Sequence, residues 1–219
     1  MTEQPRRPDI AYDLVRRAHA AREQRRKLPL ALLSAAEIGM GRHQDHANAQ
    51  VLRRIVGEHG WPGRSLVGEE AAEAAWQIAL YADHLPDFQR LSLRLLSDAV
   101  DKGEASLRQW AHLHDRCSVS NGVPQVYGTQ HRLGPGGVVE RLPVREPERL
   151  DERRASVGLP PLAAVRGALC HRRASEQADE AADAERSIAL VDTALQTGPE
   201  TQQPDSRASS TTTVRSEAA

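Results

Sequence analysis

Apolar residues recur at helical spacing along most of this chain. Ile10, Leu14 and Ala18 share one face with charged residues opposite, predicting a helix from Pro8 to about Lys27 that Pro29 stops. Leu30 to Met40 is a second apolar segment, expected as a short helix ended by Gly39 and Gly41, with Asp45 capping the next. Val51, Leu52, Ile55 and Val56 face inward from a helix over Ala47 to His59. Gly60 and Pro62 end it, and Trp61 is pinned in the turn against the core. Gly68 opens a further helix within Ser65 to Leu85. Glu69 and Glu70 suit its positive end, and Trp76, Leu80 and His84 share a face. Pro86 starts a helix with a Phe88, Leu91, Leu95, Leu96 stripe, broken by Gly103. From Glu104 to Cys117, Leu107, Trp110, Leu113 and Cys117 line one face. On that register Asp115 and Arg116 leave the helix end in different directions.

The period then changes. Asn121-Gly122 signals a tight turn, and Gln125 to His131 and Val138 to Val144 alternate on either side of Gly134-Pro135-Gly136-Gly137. That pattern predicts a β-hairpin, with Gly128 marking a bulge or a close backbone approach. Pro147 begins another helix that Gly158 ends, and a short helix is expected to reach Cys170. Beyond His171, Ala, Glu, Asp, Ser, Thr and Gln dominate. Ile188 to Leu195 reads as a weak amphipathic helix, and disorder is expected after Gln196. The fold class is therefore mainly α (α+β). Residues 1–8 are a flexible N-terminus, 9–170 a compact helical domain with a hairpin near 125–144, and 171–219 a low-complexity, largely disordered tail.

Charge changes this picture little. A net charge of −1 offers no field for nucleic acid or an anionic membrane, and aromatics at 3% of the chain are too scarce to suggest a stacking platform for bases. No apolar run is long enough to span a bilayer, and MTEQPRRPDI lacks the apolar centre of a signal peptide, so a cytoplasmic location is expected. The two cysteines form no CxxC pair. Arg116 would lower the thiol pKa of Cys117, but a small buried apolar residue is the favoured reading. His43 and His46 form an HxxH pair without further ligands, so no metal site is expected. Arg22, Arg25, Arg26 and Lys27 read as a solvated helix face rather than a phosphate site.

Groups fit for chemistry crowd into WAHLHDRCSVSNGVPQVYGTQ, Trp110 to Gln130. Asp115 has the character of a base or an orienting group, and Arg116 of a bidentate holder of carboxylate or phosphate. Gln125, Tyr127, Thr129 and Gln130 add the neutral donors and acceptors that line polar-ligand sites. No Gly-x-Ser-x-Gly, Walker, dinucleotide or HExxH motif names a nucleophile or a cofactor.

Four pieces, NAQVLRRIVGEHGWPGRSLVG, AAWQIALYAD, HLHDR with GVPQVYGTQ, and LDERRASVGLPPL, together resemble the bacterial family termed domain of unknown function 6624. The likeness covers roughly Asp9 to Leu162. It implies a helical protein with a polar cluster, whose recurring positions are here Gln24, Asn48, Trp61, Pro62, Asp83, Asp115, Arg116, Gln125, Tyr127, Gly128, Thr129 and Gln130. The family's Gln-His-Ala-Asp falls on Leu80-Tyr81-Ala82-Asp83, so this chain lacks that histidine. His84, one turn on, is the candidate to stand in beside Asp115 and Arg116, with Trp61, Tyr81 and Asp83 added to the ligand-binding set.

Two functions are expected from these residues. One is binding of a polar small molecule, with hydrolysis or group transfer as the natural chemistry. The alternative is a noncatalytic protein–protein interaction module. There Asp115 pairs with Arg116 or Arg154, Gln125 and Gln130 satisfy backbone groups, and the tail tethers a partner.

Overall fold

The computed structural model describes residues 4–27, 35–133 and 139–165, with isolated positions as far as 178. The chain divides into a unit of residues 1–177, which holds all the named helices and strands, and another of 178–219. The short helix toward Cys170, the weak helix at Ile188 to Leu195, the tail, Pro29 and the Gly134–Gly137 turn lie outside the described residues.

The fold is mainly helical with one small antiparallel hairpin. Among the described residues six helices precede the hairpin: α1 (Pro8–Lys27), α2 (Ala35–His59), α3 (Arg64–Val67), α4 (Glu69–Leu80), α5 (Pro86–Asp101) and α6 (Leu107–Ser120). Strands β1 (His131–Leu133) and β2 (Val139–Arg141) follow, then a 3-10 turn (Pro147–Arg149) and α7 (Leu150–Ser156). Among the described residues no helix is long and apolar enough to cross a membrane.

Alanines set how closely the helices pack. Ala71, Ala72, Ala74, Ala75 and Ala79 of α4 are all buried beside Leu14 and Ala18 of α1 and Leu52 of α2. Side-chain contacts fix the directions. Arg22 reaches Gln77, and Arg25 lies over Tyr81, so α1 runs parallel to α4. Gln109 donates to Glu73, and Arg116 donates to Asp83, so α6 is also parallel to α4. Arg17 donates to Asn48 and Arg25 to Asp45, which sets α2 antiparallel to α1. The C-terminal ends of α1 and α4 therefore come together at one end of the bundle, beside the N-terminal half of α2.

Several local expectations are corrected. Helix α2 runs unbroken through Gly39 and Gly41, and Asp45 sits inside it rather than capping it. At Gly41 the glycine serves packing: a Cβ there would lie 2.9 Å from the Gln24 amide nitrogen of α1. Helix α4 ends at Leu80, so His84 falls in the following turn and not on the Trp76–Leu80 face. The buried stripe of α5 is Phe88, Gln89, Ser92, Leu96 and Ala99, with Leu91 and Leu95 only half-buried. Helix α6 starts at Leu107 because Ser106 and Gln109 form a reciprocal capping box, and Leu107 itself is exposed.

Candidate functional site

The largest correction concerns Gln125 to Gln130. It is not the first strand of the hairpin, whose register runs His131 to Arg141 through Leu133 to Val139. The segment wraps instead around one carboxylate. Asp115 is completely buried on α6. Its Oδ1 accepts from the backbone N–H of Val126 at 2.8 Å and of Tyr127 at 3.1 Å. Its Oδ2 accepts from the N–H and the hydroxyl of Thr129, each at 3.0 Å. A left-handed Gly128 (φ +63°) turns the chain so that these donors converge. Alternation of residue types cannot distinguish this loop from a strand, because the partner is a side chain on a distant helix.

Burial pushes the Asp115 pKa up. Its neighbour His114 and the N–H groups of Thr129, Tyr127 and Val126 pull it down and prevail, so the carboxylate titrates below its usual range. His114 Nδ1 stands 3.7 Å from Oδ1, too far for a hydrogen bond, so we assign the lowering mainly to the amides.

Gln125 closes the same loop from below. Fully buried, it donates to the carbonyls of Gln130 at 3.0 Å and Leu142 at 2.9 Å, and accepts from the Gln130 N–H at 2.8 Å. Two arginines of α7 hold the outer side. Arg154, also buried, donates to the carbonyls of Tyr127 (2.6 Å) and Pro160 (2.7 Å), and Arg153 to that of Val126 (2.9 Å). The expected pairing of Asp115 with Arg116 or Arg154 does not form, because Arg154 grips the carbonyls of the loop and Arg116 turns to Asp83. The Tyr127 ring packs edge-on to Trp110 and His114, and burial raises its pKa.

Arg116 leaves the helix on another side, as the register predicts. Its Nε and Nη2 bind the two oxygens of Asp83, and Nη1 donates to the Gln130 side chain at 3.3 Å. Burial pulls its pKa down, and the Asp83 carboxylate more than restores it. Gln130 also donates to Thr129 Oγ1 at 3.0 Å, which links this outer pair to the Asp115 loop. Tyr81 stands beside it, with the Arg116 guanidinium 5.8 Å and that of Arg25 3.6 Å from the ring centroid. Arg25 is thus half-buried and paired with Asp45 at 2.7 Å, not part of a solvated face.

The structure therefore brings together Asp83, Tyr81, Arg116 and Gln130 on an outer rim, with Asp115, Gln125, Tyr127 and Thr129 in a frame behind it. His84 is exposed, its ring 4.9 Å from that of His46. Trp61 lies beyond the C-terminal end of α2, about 20 Å of helix from Asp45, packed on the core. Cys117 is buried and its thiol pushed up to about 11, which corrects the lowered value that Arg116 alone would give. Arg116 is turned to Asp83 instead. Among the described residues no three His, Cys, Asp or Glu side chains are placed to hold a metal ion.

The model of a family of unknown function, DUF6624, matches residues 14–170. The chain belongs to that family. Gln24 and Asn48, two positions expected from the resemblance, lie on the α1–α2 seam, where Asn48 is buried and accepts from Arg17 and Gln44. No curated protein and no solved structure matches the chain.

Proposed function

We propose that this DUF6624 protein binds a polar small molecule at the rim formed by Asp83, Arg116 and Gln130 beside Tyr81. One observation carries the reading: Arg116 and Asp83 form a bidentate pair that is only half-buried, yet is braced from behind by Gln130 and the Asp115 loop. A surface pair contributes little to stability, whereas a pair held by an internal network is preorganised for recognition. Asp115, Gln125 and Arg154 belong to the frame, because their polar atoms are taken up by backbone partners. Hydrolysis or group transfer on the same ligand would draw on Asp83 and on His84, the next residue. A bacterial setting is part of the proposal and rests on the family resemblance.

The alternative, a noncatalytic interaction module, is favoured by the same internal saturation of Asp115 and Gln125, which specifies a fold without chemistry. A thermal-shift screen of polar metabolites separates the two. A ligand at a hundredfold excess over its Kd stabilises by about 2.7 kcal/mol, a rise of roughly 5–10 °C for a chain of this size. We expect at least one such rise in the wild type, lost in Arg116→Ala. Equal shifts in both proteins would remove the site from this rim.

A further inference from the structure

The rim carries both signs of charge in equal measure. Arg25 pairs with Asp45 and Arg116 with Asp83, and Tyr81 stands between the two arginines. The charges are not fully used. Arg116 makes three hydrogen bonds, two to Asp83 and one to Gln130. A guanidinium has five N–H groups, so one N–H on each terminal nitrogen remains. Asp83 Oδ1 accepts from Arg116 Nε and from Gln89 Nε2, while Oδ2 accepts from Arg116 alone. Oδ2 therefore keeps room for another donor. The two side chains are 29% and 42% exposed, so a ligand has access to both.

Simple ions suit this arrangement poorly. A phosphate or carboxylate drawn to Arg116 meets Asp83 within the same few ångströms. At such a distance each like-charge contact costs about as much as the opposite contact gains. A lone cation on Asp83 meets Arg116 in the same way. A molecule carrying both signs on one short frame offsets each repulsion with an attraction. Its carboxylate takes the spare N–H groups of Arg116, and its ammonium donates to Oδ2 of Asp83. The joined C-terminal ends of α1 and α4 add negative partial charge that favours the ammonium.

Resting on the rim as the binding site, we infer that the ligand is a zwitterion of the α-amino-acid class, held through its ammonium and carboxylate. Isothermal titration of the full chain with each of the twenty protein amino acids tests this. Glycinamide serves as the cation-only probe, and acetate and inorganic phosphate as anion-only probes. At least one amino acid binds, and binds at least tenfold more tightly than any of those three probes. Its affinity drops at least tenfold in Asp83→Asn and in Arg116→Ala, each checked for fold by circular dichroism. Should Arg116→Ala not fold, Arg116→Lys keeps the charge, loses the fork and gives the same drop. Arg116-dependent binding of phosphate or acetate without amino-acid binding would overturn the zwitterion and leave the rim as the site. Absence of any Arg116-dependent binding across all the probes would sink both.

Discussion

Replacing Asp115 with asparagine keeps the shape of the side chain and inverts half of its hydrogen bonding. The wild-type carboxylate receives three backbone N–H groups and one hydroxyl, all at 2.8–3.1 Å for their shorter contacts. In Asp115→Asn the amide oxygen keeps the Val126 and Tyr127 donors if it takes the Oδ1 place. The new NH2 then faces the Thr129 N–H. The Thr129 hydroxyl can turn to accept, so one backbone N–H is orphaned. A hydrogen bond to a charged group contributes about 1.5–3 kcal/mol, and an orphaned buried donor costs about 1–3 kcal/mol. Relief of the buried charge offsets part of this, leaving a net loss of about 3 kcal/mol. Urea unfolding followed by tryptophan fluorescence reads it directly. With a slope of about 2 kcal/mol/M the midpoint falls by about 1.5 M. The loss also depends on pH. Because the folded pKa is depressed, the wild-type carboxylate stabilises fully above the unfolded value near 4, and this stabilisation fades as pH falls through the folded pKa. The gap between wild type and Asp115→Asn therefore narrows toward pH 3. A loss under about 1 kcal/mol at pH 7, or a gap that does not change with pH, would refute the role of the carboxylate as the organiser of the loop.

Gly128→Ala forces a Cβ onto a left-handed residue (φ +63°) within 3.3 Å of Leu150 Cδ2 and 3.4 Å of Val144 Cγ1, and lowers stability by about 1–3 kcal/mol in the same assay. A wild-type-like midpoint would show that the loop is free to relax. Burial holds the His112 pKa down to about 4, so the unfolded chain takes up that proton first. Stability from this group is complete above about pH 6.5 and drains as pH falls toward 4, by about 3 kcal/mol. His112→Phe flattens that slope, and an unchanged slope would assign it elsewhere. Iodoacetamide at pH 8 alkylates Cys117 far more slowly in the native chain than in urea, because the thiol is buried and pushed up to about 11. Peptide mapping showing equal rates would contradict the packing of α6.

Helices were legible where the apolar period is clean and the terminators are strong. Pro8, Pro86, Gly60 and Gly103 mark ends that the structure reproduces. Gly39 and Gly41 misled, since a glycine that admits a neighbouring helix looks in sequence like one that ends its own. The crowding of polar residues between Trp110 and Gln130 coincides in the structure with one hydrogen-bonded network around Asp115. What it hid was the division of labour. Asp115 and Arg116 are adjacent in the chain, yet one faces inward to backbone amides and the other outward to Asp83. Helical register separated their directions but not their partners, which come from elements far away in sequence. Arg25 reads as part of a solvated face, Asp45 as a helix cap and Arg154 as a partner for Asp115, and the structure gives each a different role. Each takes its role from a tertiary contact, with Tyr81, Arg25 and the Tyr127 carbonyl respectively.

The central claim places a ligand on the Arg116–Asp83 rim, and amide chemical-shift mapping with a pool of polar metabolites tests it most directly. Perturbations clustered at Tyr81–Asp83, Arg116 and Thr129–Gln130, and abolished by Arg116→Ala, are the predicted result. Perturbations that gather elsewhere, such as around His59 and Trp61 at the far end of α2, or none with any metabolite in the pool, would contradict it.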